Sequence, residues 1–262
     1  WPPLRRDLTA LILRLRAKAK AFRNVMKSGR THLQDAVPVT LGMEFSAHAR
    51  ALEKDRERLD RAAGRLRELP LGGNAVGTGI NTTAGFRQCA IQELTRITGL
   101  ACQPAKDGLE AVQYLTDMAD MSAALRLLAG DLSKLCNDLR LLSSGPRTGL
   151  NELILPPVEP GSSIMPGKIN PSICEAANMA CLQVFGNDQA VALACAAGQL
   201  ELNTHMPLVG WNLVRSLQIL SRTCRMLAVH CISGIRVRKD VCWQHFEASP
   251  SLATLLVPAL GY

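Results

Sequence analysis

The 262-residue sequence is poor in aromatic side chains, which make up only 4% of it, although 47% of its residues are hydrophobic. β-Sandwiches and barrels rely on aromatic and β-branched residues, so a core built mainly from Leu and Ala favours helices. No alternating apolar and polar segment is long enough to predict a strand. The composition therefore predicts a helical protein that is long enough to bury a large core.

The sequence also lacks the usual signs of disulfides, zinc sites and membrane spans. Its nine cysteines are odd in number and include no Cys-x-x-Cys pair, so we expect buried free thiols in a reducing cytosol. The longest uncharged helical stretches, 176–187 and 189–200, are too short to span a bilayer. The N-terminus shows no signal-peptide pattern. These absences predict a cytoplasmic protein without a membrane partner.

Basic residues outnumber acidic ones, which gives a formal net charge of +8. Much of it lies on one amphipathic segment near the start, which favours a solvated helix face. Attraction of nucleic acid or of a small acid is the functional alternative. No recognisable nucleic-acid-binding motif is present, so we expect no nucleic-acid partner.

Apolar residues recur at spacings of three and four in most of the chain, which predicts helices. The predicted helices cover about 4–26, 45–69, 87–98, 109–142, 173–202 and 207–231. A polar break is expected at residues 28–35. Only three charges occur between Ile173 and Leu202, which predicts a helix buried on all sides at the centre of an oligomer.

A loop at residues 143–171 is unexpectedly long for a connection between two helices. Its six prolines and four glycines exclude regular structure through most of it. Connections of roughly 2–8 residues would be enough, and long ordered loops are usually functional. A proline-stiffened connector with incidental serines remains the structural alternative.

The second half of this loop is dense in polar chemistry. Ser162 and Ser163 supply hydroxyls, and Lys168 supplies a positive charge. Asn170 can cap the following helix, with Pro171 in the favoured first position. The helix start adds backbone N–H donors and a partial positive charge. Together these groups predict a site for carboxylate oxygens.

Two other motifs fail on spacing. A phosphate-binding loop needs four residues between its glycines and Ser or Thr after the Lys. Here five residues separate Gly161 from Gly167, and Ile169 follows Lys168. A serine hydrolase would need Gly-x-Ser-x-Gly after a strand, and neither is present.

Gly-Ser-Ser-Ile-Met-Pro-Gly-Lys-Ile-Asn-Pro, residues 161–171, resembles the signature of the class II fumarase, aspartase and argininosuccinate lyase superfamily. Gly-Arg-Thr-His-Leu-Gln-Asp-Ala-Val-Pro, residues 29–38, resembles the second signature of the same family. Residues 77–81 and 137–147 match it in the same order. The resemblance covers essentially the whole chain.

The resemblance implies a role for each matching residue. Ser162 would be the general base that takes a proton from C3 of the substrate, and Ser163 would hold a carboxylate. Six further residues would complete the site: His32 and Thr31 at the substrate, Glu175 orienting the histidine, and Lys168, Ile169 and Asn170 binding the substrate. Met43 stands where the family leads us to expect glutamine.

The implied chemistry requires such a set. Removing a C3 proton puts a second negative charge on the adjacent carboxylate, so prearranged donors are the main means of lowering the barrier. Serine is a poor base at its ordinary pKa, so it needs a cationic, hydrogen-bonding environment. No metal or organic cofactor is required.

The fold implied is all-α, an elongated bundle of long helices. By resemblance, four subunits form a central bundle as a homotetramer, and each active site is shared among three of them. Residues 1–262 are expected to be a central helical lyase domain. They would be a fragment without part of the N-terminal domain and without a small C-terminal domain, and negligible activity is expected from it alone.

The substrate is expected to be a small dicarboxylate. The segments 139–146, 149–152 and 197–203 are more similar to aspartases, which eliminate ammonia from L-aspartate to give fumarate. Glu159-Pro160 and Cys174-Glu175 are more similar to fumarases, which convert L-malate to fumarate. L-aspartate is favoured, with L-malate as the alternative and a catalytically inactive relative as the non-enzyme alternative.

Overall fold

The computed structural model describes residues 1–261, and helices account for most of them. The helices, in chain order, are α1 (Pro2–Ala21), α2 (Leu41–Arg65), α3 (Phe86–Thr98), α4 (Gly108–Gln113), α5 (Thr116–Leu142), α6 (Ser172–Ala196), α7 (Met206–Met226), α8 (Lys239–Ala248) and α9 (Val257–Leu260). Short strands form three pairs: β1 (Met26–Thr31) with β2 (Gln34–Thr40), β3 (Glu68–Leu69) with β4 (Gln103–Pro104), and β5 (Leu153–Ile154) with β6 (Arg236–Val237). The predicted all-α class with long helices is confirmed.

The chain divides into two compact units. The first unit contains Trp1 and residues 55–129 and 181–220. The second unit contains residues 2–54, 130–180 and the chain from Ser221 onward. All residues predicted for the active site belong to the second unit.

In the second unit, the apolar face predicted for the first helix forms part of the core. Leu4, Leu8, Leu11 and Leu15 are all buried. The helix ends at Ala21, earlier than the predicted Met26, because the start of α2 packs against its end. A Cβ on Gly42 would lie 2.6 Å from the Ala19 carbonyl oxygen, so only glycine permits this close approach.

Residues 28–35, predicted as a polar break between helices, lie in an antiparallel hairpin. β1 and β2 pair from Met26 with Thr40 to Thr31 with Gln34, with a bulge between Ser28 and Arg30. The interior of β1 is buried although its residues are polar, because Lys27 and Ser28 find partners inside the unit. A search for apolar alternation therefore misses this strand.

In the first unit, one half-buried carboxylate joins two long helices. Asp188 of α6 accepts hydrogen bonds from Ser122 Oγ at 2.6 Å and from Arg126 Nε at 2.7 Å, both on α5. Asn187 of α6 donates from Nδ2 to Ser216 Oγ of α7 at 3.0 Å. The few polar residues of α6 thus bind neighbouring helices.

Three predicted helices end earlier than expected or are interrupted. The predicted helix 109–142 is broken at Tyr114, whose φ of −107° and ψ of 120° are extended. The predicted helix 173–202 ends at Ala196, because Asn203 Nδ2 donates to the carbonyl oxygens of Ala194 and Cys195 and so caps its end. The predicted helix 207–231 changes to a π-helical turn at Leu227.

Helix α6 is not buried on all sides within the single chain. In the first unit Leu182 and Leu193 of this helix are 65% and 64% exposed. Trp211 and Val214 of α7 are also largely exposed. A position at the centre of an oligomer stays a prediction. Across residues 1–261, none of the helices has the length and apolar character needed to cross a membrane.

Candidate active site

The hairpin of β1 and β2 ends in a two-residue turn formed by His32 and Leu33. Their φ angles are 55° and 62°, so both residues adopt the left-handed conformation. A two-residue turn of this kind normally uses Asn or Gly, because bulkier side chains are strained there. Such strain concentrates at functional sites. The turn holds Thr31 and His32 exposed at the tip of the hairpin.

A buried cluster of charges anchors this hairpin to the start of the long loop. The Lys27 ammonium lies 2.6 Å from one Glu152 carboxylate oxygen and 2.9 Å from the Glu44 carboxylate. The other Glu152 oxygen is 2.8 Å from Arg30 and 3.0 Å from His245 Nδ1. The loop, the hairpin, α2 and α8 therefore meet at Glu152.

The charges around Glu152 decide its ionisation. Burial by itself raises the pKa of this carboxyl group, but Lys27, His245 and Arg30 oppose it and together hold the pKa below its usual value. Glu152 is thus ionised at neutral pH, and the cluster remains charged inside the protein.

The signature loop places Ser162 in a small ring of backbone hydrogen bonds. Ser162 N–H donates to the Lys168 carbonyl oxygen at 3.2 Å, and Lys168 N–H donates to that of Met165 at 3.3 Å. Ser162 Oγ accepts from the backbone N–H groups of Ile164 at 3.3 Å and Met165 at 3.2 Å. Two donors on one hydroxyl oxygen favour its negatively charged form.

Lys168 and Asn170 lie together at the end of the loop. Lys168 Nζ donates to Asn170 Oδ1 at 2.9 Å, so the Asn170 side chain binds the lysine and not the helix start. Helix α6 begins at Ser172. The N–H groups of Cys174 and Glu175 donate its first hydrogen bonds to the Pro171 carbonyl oxygen. The expected cap by Asn170 is therefore wrong.

Glu175 binds an arginine in this chain. Its Oε1 accepts from Arg140 Nη2 of α5 at 3.2 Å. Among residues 1–261, no hydrogen bond or ion pair joins Glu175 to His32. The predicted orientation of the histidine by Glu175 is not formed within one chain.

A cavity of about 420 Å³ opens beside the signature loop. Lys168, Ile169, Asn170 and Glu175 line it, and so do two arginines, Arg140 and Arg238. Ser162, Ser163, Thr31 and His32 are not part of its lining within the described chain. The structure thus brings four of the eight predicted site residues to one cavity.

A second cavity of about 440 Å³ lies in the same unit, and most of the charged side chains in its lining are paired with one another. Lys27, Glu44 and Arg30 on its wall belong to the Glu152 cluster, and His48 lies 3.5 Å from Asp138. Because most of its charged groups compensate one another, this cavity gives no comparable reason to bind an ion.

Three important residues were absent from the sequence-based prediction. Arg140 lies in a segment that resembles the family, but the sequence assigns it no role. Glu152 lies in a segment used only to compare aspartases with fumarases, and Arg238 lies outside every motif. Its positive charge after a predicted helix is the one feature of the sequence that could have indicated a role for Arg238.

Met43, the departure from the family pattern, is exposed in the first turn of α2, where its N–H donates to Thr40 Oγ1 at 3.2 Å.

The chain is similar to known lyases over most of its length. A family model described as a lyase matches residues 3–186. The aspartate ammonia-lyase of Pseudomonas aeruginosa is 48% identical over 257 residues, which cover 98% of this chain and 54% of that protein. The class II fumarate hydratase of Corynebacterium efficiens is 46% identical over 249 residues, which cover 95% of this chain and 53% of that protein.

A solved structure extends the agreement to the fold. The crystal structure of a fumarate lyase, delta crystallin, from Brucella melitensis superposes with a TM-score of 0.96 at 46% identity. The match covers 100% of this chain and 57% of that one. Fold and loop together therefore define a helical lyase. The chain belongs to the lyase family, within the class II fumarase and aspartase superfamily, and it spans about half the length of the curated relatives it matches.

Proposed function

We propose that the complete protein acts as an aspartate ammonia-lyase, which eliminates ammonia from L-aspartate to give fumarate. The observation that carries the proposal is the pair of backbone N–H groups, from Ile164 and Met165, that donate to Ser162 Oγ. They supply the stabilisation that a serine needs in order to act as a base. The similarity to aspartate ammonia-lyases at 44–48% identity supports the choice of reaction.

In the proposed reaction, the Ser162 alkoxide takes a proton from C3 of L-aspartate. The electron pair moves onto the adjacent carboxylate, giving an aci-carboxylate with two negative charges. Its collapse forms the C2–C3 double bond and expels ammonia from C2. Lys168 and the N-terminus of α6 stabilise the developing charge, because preorganised donors act where charge accumulates.

The remaining predicted residues bind and orient the substrate. Ser163, Ile169 and Asn170 hold it from the loop, and Thr31 and His32 approach from the hairpin tip. The left-handed turn fixes the backbone at His32, and Thr31 is fixed beside it as the last residue of β1.

We further propose that the active protein is a homotetramer with shared active sites. His32 and Glu175 are not joined within one chain, which is consistent with a site assembled from several copies. The exposed apolar side chains of α6 and α7 in the first unit offer a surface that other copies would cover. Light scattering on the complete protein tests this, and a monodisperse monomer would contradict it.

Residues 1–262 would be the central helical domain of this enzyme. Its relatives are about twice as long, so the remaining parts of the substrate pocket would come from segments outside it.

We also propose a cytoplasmic location. All nine cysteines are free thiols, which suits a reducing compartment, and six of them are buried as expected while Cys89 is exposed.

The second candidate function is that of a class II fumarate hydratase. The 46% identity to the enzyme of Corynebacterium efficiens favours it, and the same base would remove the C3 proton of L-malate. An inactive relative is the third candidate, and it is weakened because Ser162, Lys168 and Glu175 are all present.

One assay separates the three candidates. The absorbance of fumarate is followed with L-aspartate and with L-malate as substrates of the complete protein. We expect turnover of L-aspartate. Turnover of L-malate alone would establish the hydratase instead, and turnover of neither would indicate the inactive relative.

A further inference from the structure

The cavity beside the signature loop has more positive charge than its own acidic group can compensate. Arg140, Lys168 and Arg238 line it, and Glu175 is the one acidic side chain in its lining. Glu175 is already bound to Arg140. Lys168 Nζ binds only the neutral amide of Asn170. Across residues 1–261, no carboxylate forms an ion pair with either Lys168 or Arg238.

The backbone of Arg238 is held firmly in place. Its N–H donates to the Glu152 carbonyl oxygen at 2.9 Å, directly beside the pairing of β5 with β6. The next residue, Lys239, begins α8. Because the strand ends just before this residue and the helix begins just after it, regular structure on both sides fixes the backbone from which the Arg238 side chain extends.

The Arg238 side chain has an unmet hydrogen-bonding requirement. Its Nε is buried and has no hydrogen-bond partner among the residues that the structure describes. A buried donor without a partner is unfavourable, and such donors in native structures usually have a ligand, ion or water as partner. The guanidinium group is a planar fork whose natural partner is a carboxylate bound through two parallel hydrogen bonds.

We propose that Arg238 is a carboxylate-binding residue of the substrate site and that it selects for substrates with two carboxylates. The inference rests on the proposed function, since it supplies the second cation for the dicarboxylate substrate. Lys168 binds one carboxylate and Arg238 binds the other. Lys168 and Arg238 line the same cavity without a carboxylate partner among the described residues, so they can receive the two carboxylates of aspartate or malate.

The test uses succinate, an unreactive dicarboxylate, and butyrate, a monocarboxylate of the same chain length, with the complete protein. Their dissociation constants are measured by calorimetry for wild type and for Arg238→Gln, and KM and kcat are measured for the preferred substrate. Loss of a charge-assisted hydrogen bond predicts a rise of about 10- to 100-fold in KM and in the succinate dissociation constant. The preference for succinate over butyrate should fall by a similar factor.

Two further variants separate binding from structure. Arg236→Gln removes an exposed arginine from the neighbouring strand β6, which is not part of the cavity lining, and it should leave both constants within twofold of wild type. Arg238→Lys keeps the charge but not the fork, so it should recover part of the succinate affinity. A melting temperature for each variant confirms that it folds.

The outcomes distinguish this inference from the proposed function. If Arg238→Gln and Arg238→Lys both bind succinate as tightly as wild type, the inference is wrong even when wild type makes fumarate. If wild type makes no fumarate but its succinate affinity depends on Arg238, the proposed function fails and the binding role of Arg238 stands.

Discussion

The Lys27 ammonium lies 2.6 Å from the Glu152 carboxylate, and the two side chains are only 1% and 0% exposed. This pair joins the hairpin that carries Thr31 and His32 to the loop that carries Ser162. Removing one partner of a buried ion pair is unfavourable because the other charge is left without compensation. The pair therefore fixes two segments of the proposed site on a common support.

Replacing Glu152 by Gln should destabilise the protein strongly. The change leaves Lys27 and Arg30 buried beside a neutral amide, and breaking such a pair typically costs about 3–5 kcal/mol. Denaturant unfolding at a fixed protein concentration measures the change. Glu93→Gln is the control, because its partner Arg96 is on the surface and exposed pairs contribute little. Equal stability of the two variants would show that the cluster does not anchor the hairpin.

The same cluster predicts how stability changes in acid. The pKa of Glu152 in the folded protein is below the ordinary glutamate value of 4.5, so its contribution to stability is complete above about pH 4.5. The contribution is lost as the pH falls through the folded pKa, where the carboxylate is protonated although Lys27, His245 and Arg30 oppose it. Melting temperatures of wild type and Glu152→Gln should thus converge below pH 4.5. A constant difference from pH 7 to pH 3 would contradict this account.

Expressed alone, residues 1–262 should have negligible lyase activity. They contain the signature loop and the hairpin, but they span about half the length of the curated relatives. Positioning of the substrate supplies a large part of catalysis, and an incomplete pocket forfeits it. Fumarate formation by this chain and by a complete homologue is compared at equal concentration, with oligomeric state measured by light scattering. Comparable rates would mean that residues 1–262 are sufficient for catalysis.

The helices could be predicted from sequence because their apolar residues recur with helical spacing and are buried on one face. Leu4, Leu8, Leu11 and Leu15 illustrate this, since each is completely or almost completely buried. The signature loop could also be predicted, because its prolines and glycines exclude a helix and its motif is specific to the family.

The hairpin could not be predicted, because its inner side chains are charged or polar. Lys27 is buried only because Glu44 and Glu152 accept from it, and these partners are distant in sequence. For the same reason no pattern in the sequence indicates that Arg238 lines the same cavity as Lys168. Such pairings depend on tertiary structure, which a single sequence does not display.

The most direct test of the proposed mechanism is the kcat of Ser162→Ala in the complete protein, with L-aspartate as substrate. A positioned base typically contributes ~10²–10⁴-fold to the rate, so the kcat of the variant should fall by a factor within this range. Its circular dichroism and subunit assembly should remain those of wild type. Within the described part of the chain, the hydroxyl accepts hydrogen bonds from the backbone of its own loop and from no other segment, so its removal should leave the helical core intact. Retention of more than about a tenth of the wild-type kcat would place the base elsewhere.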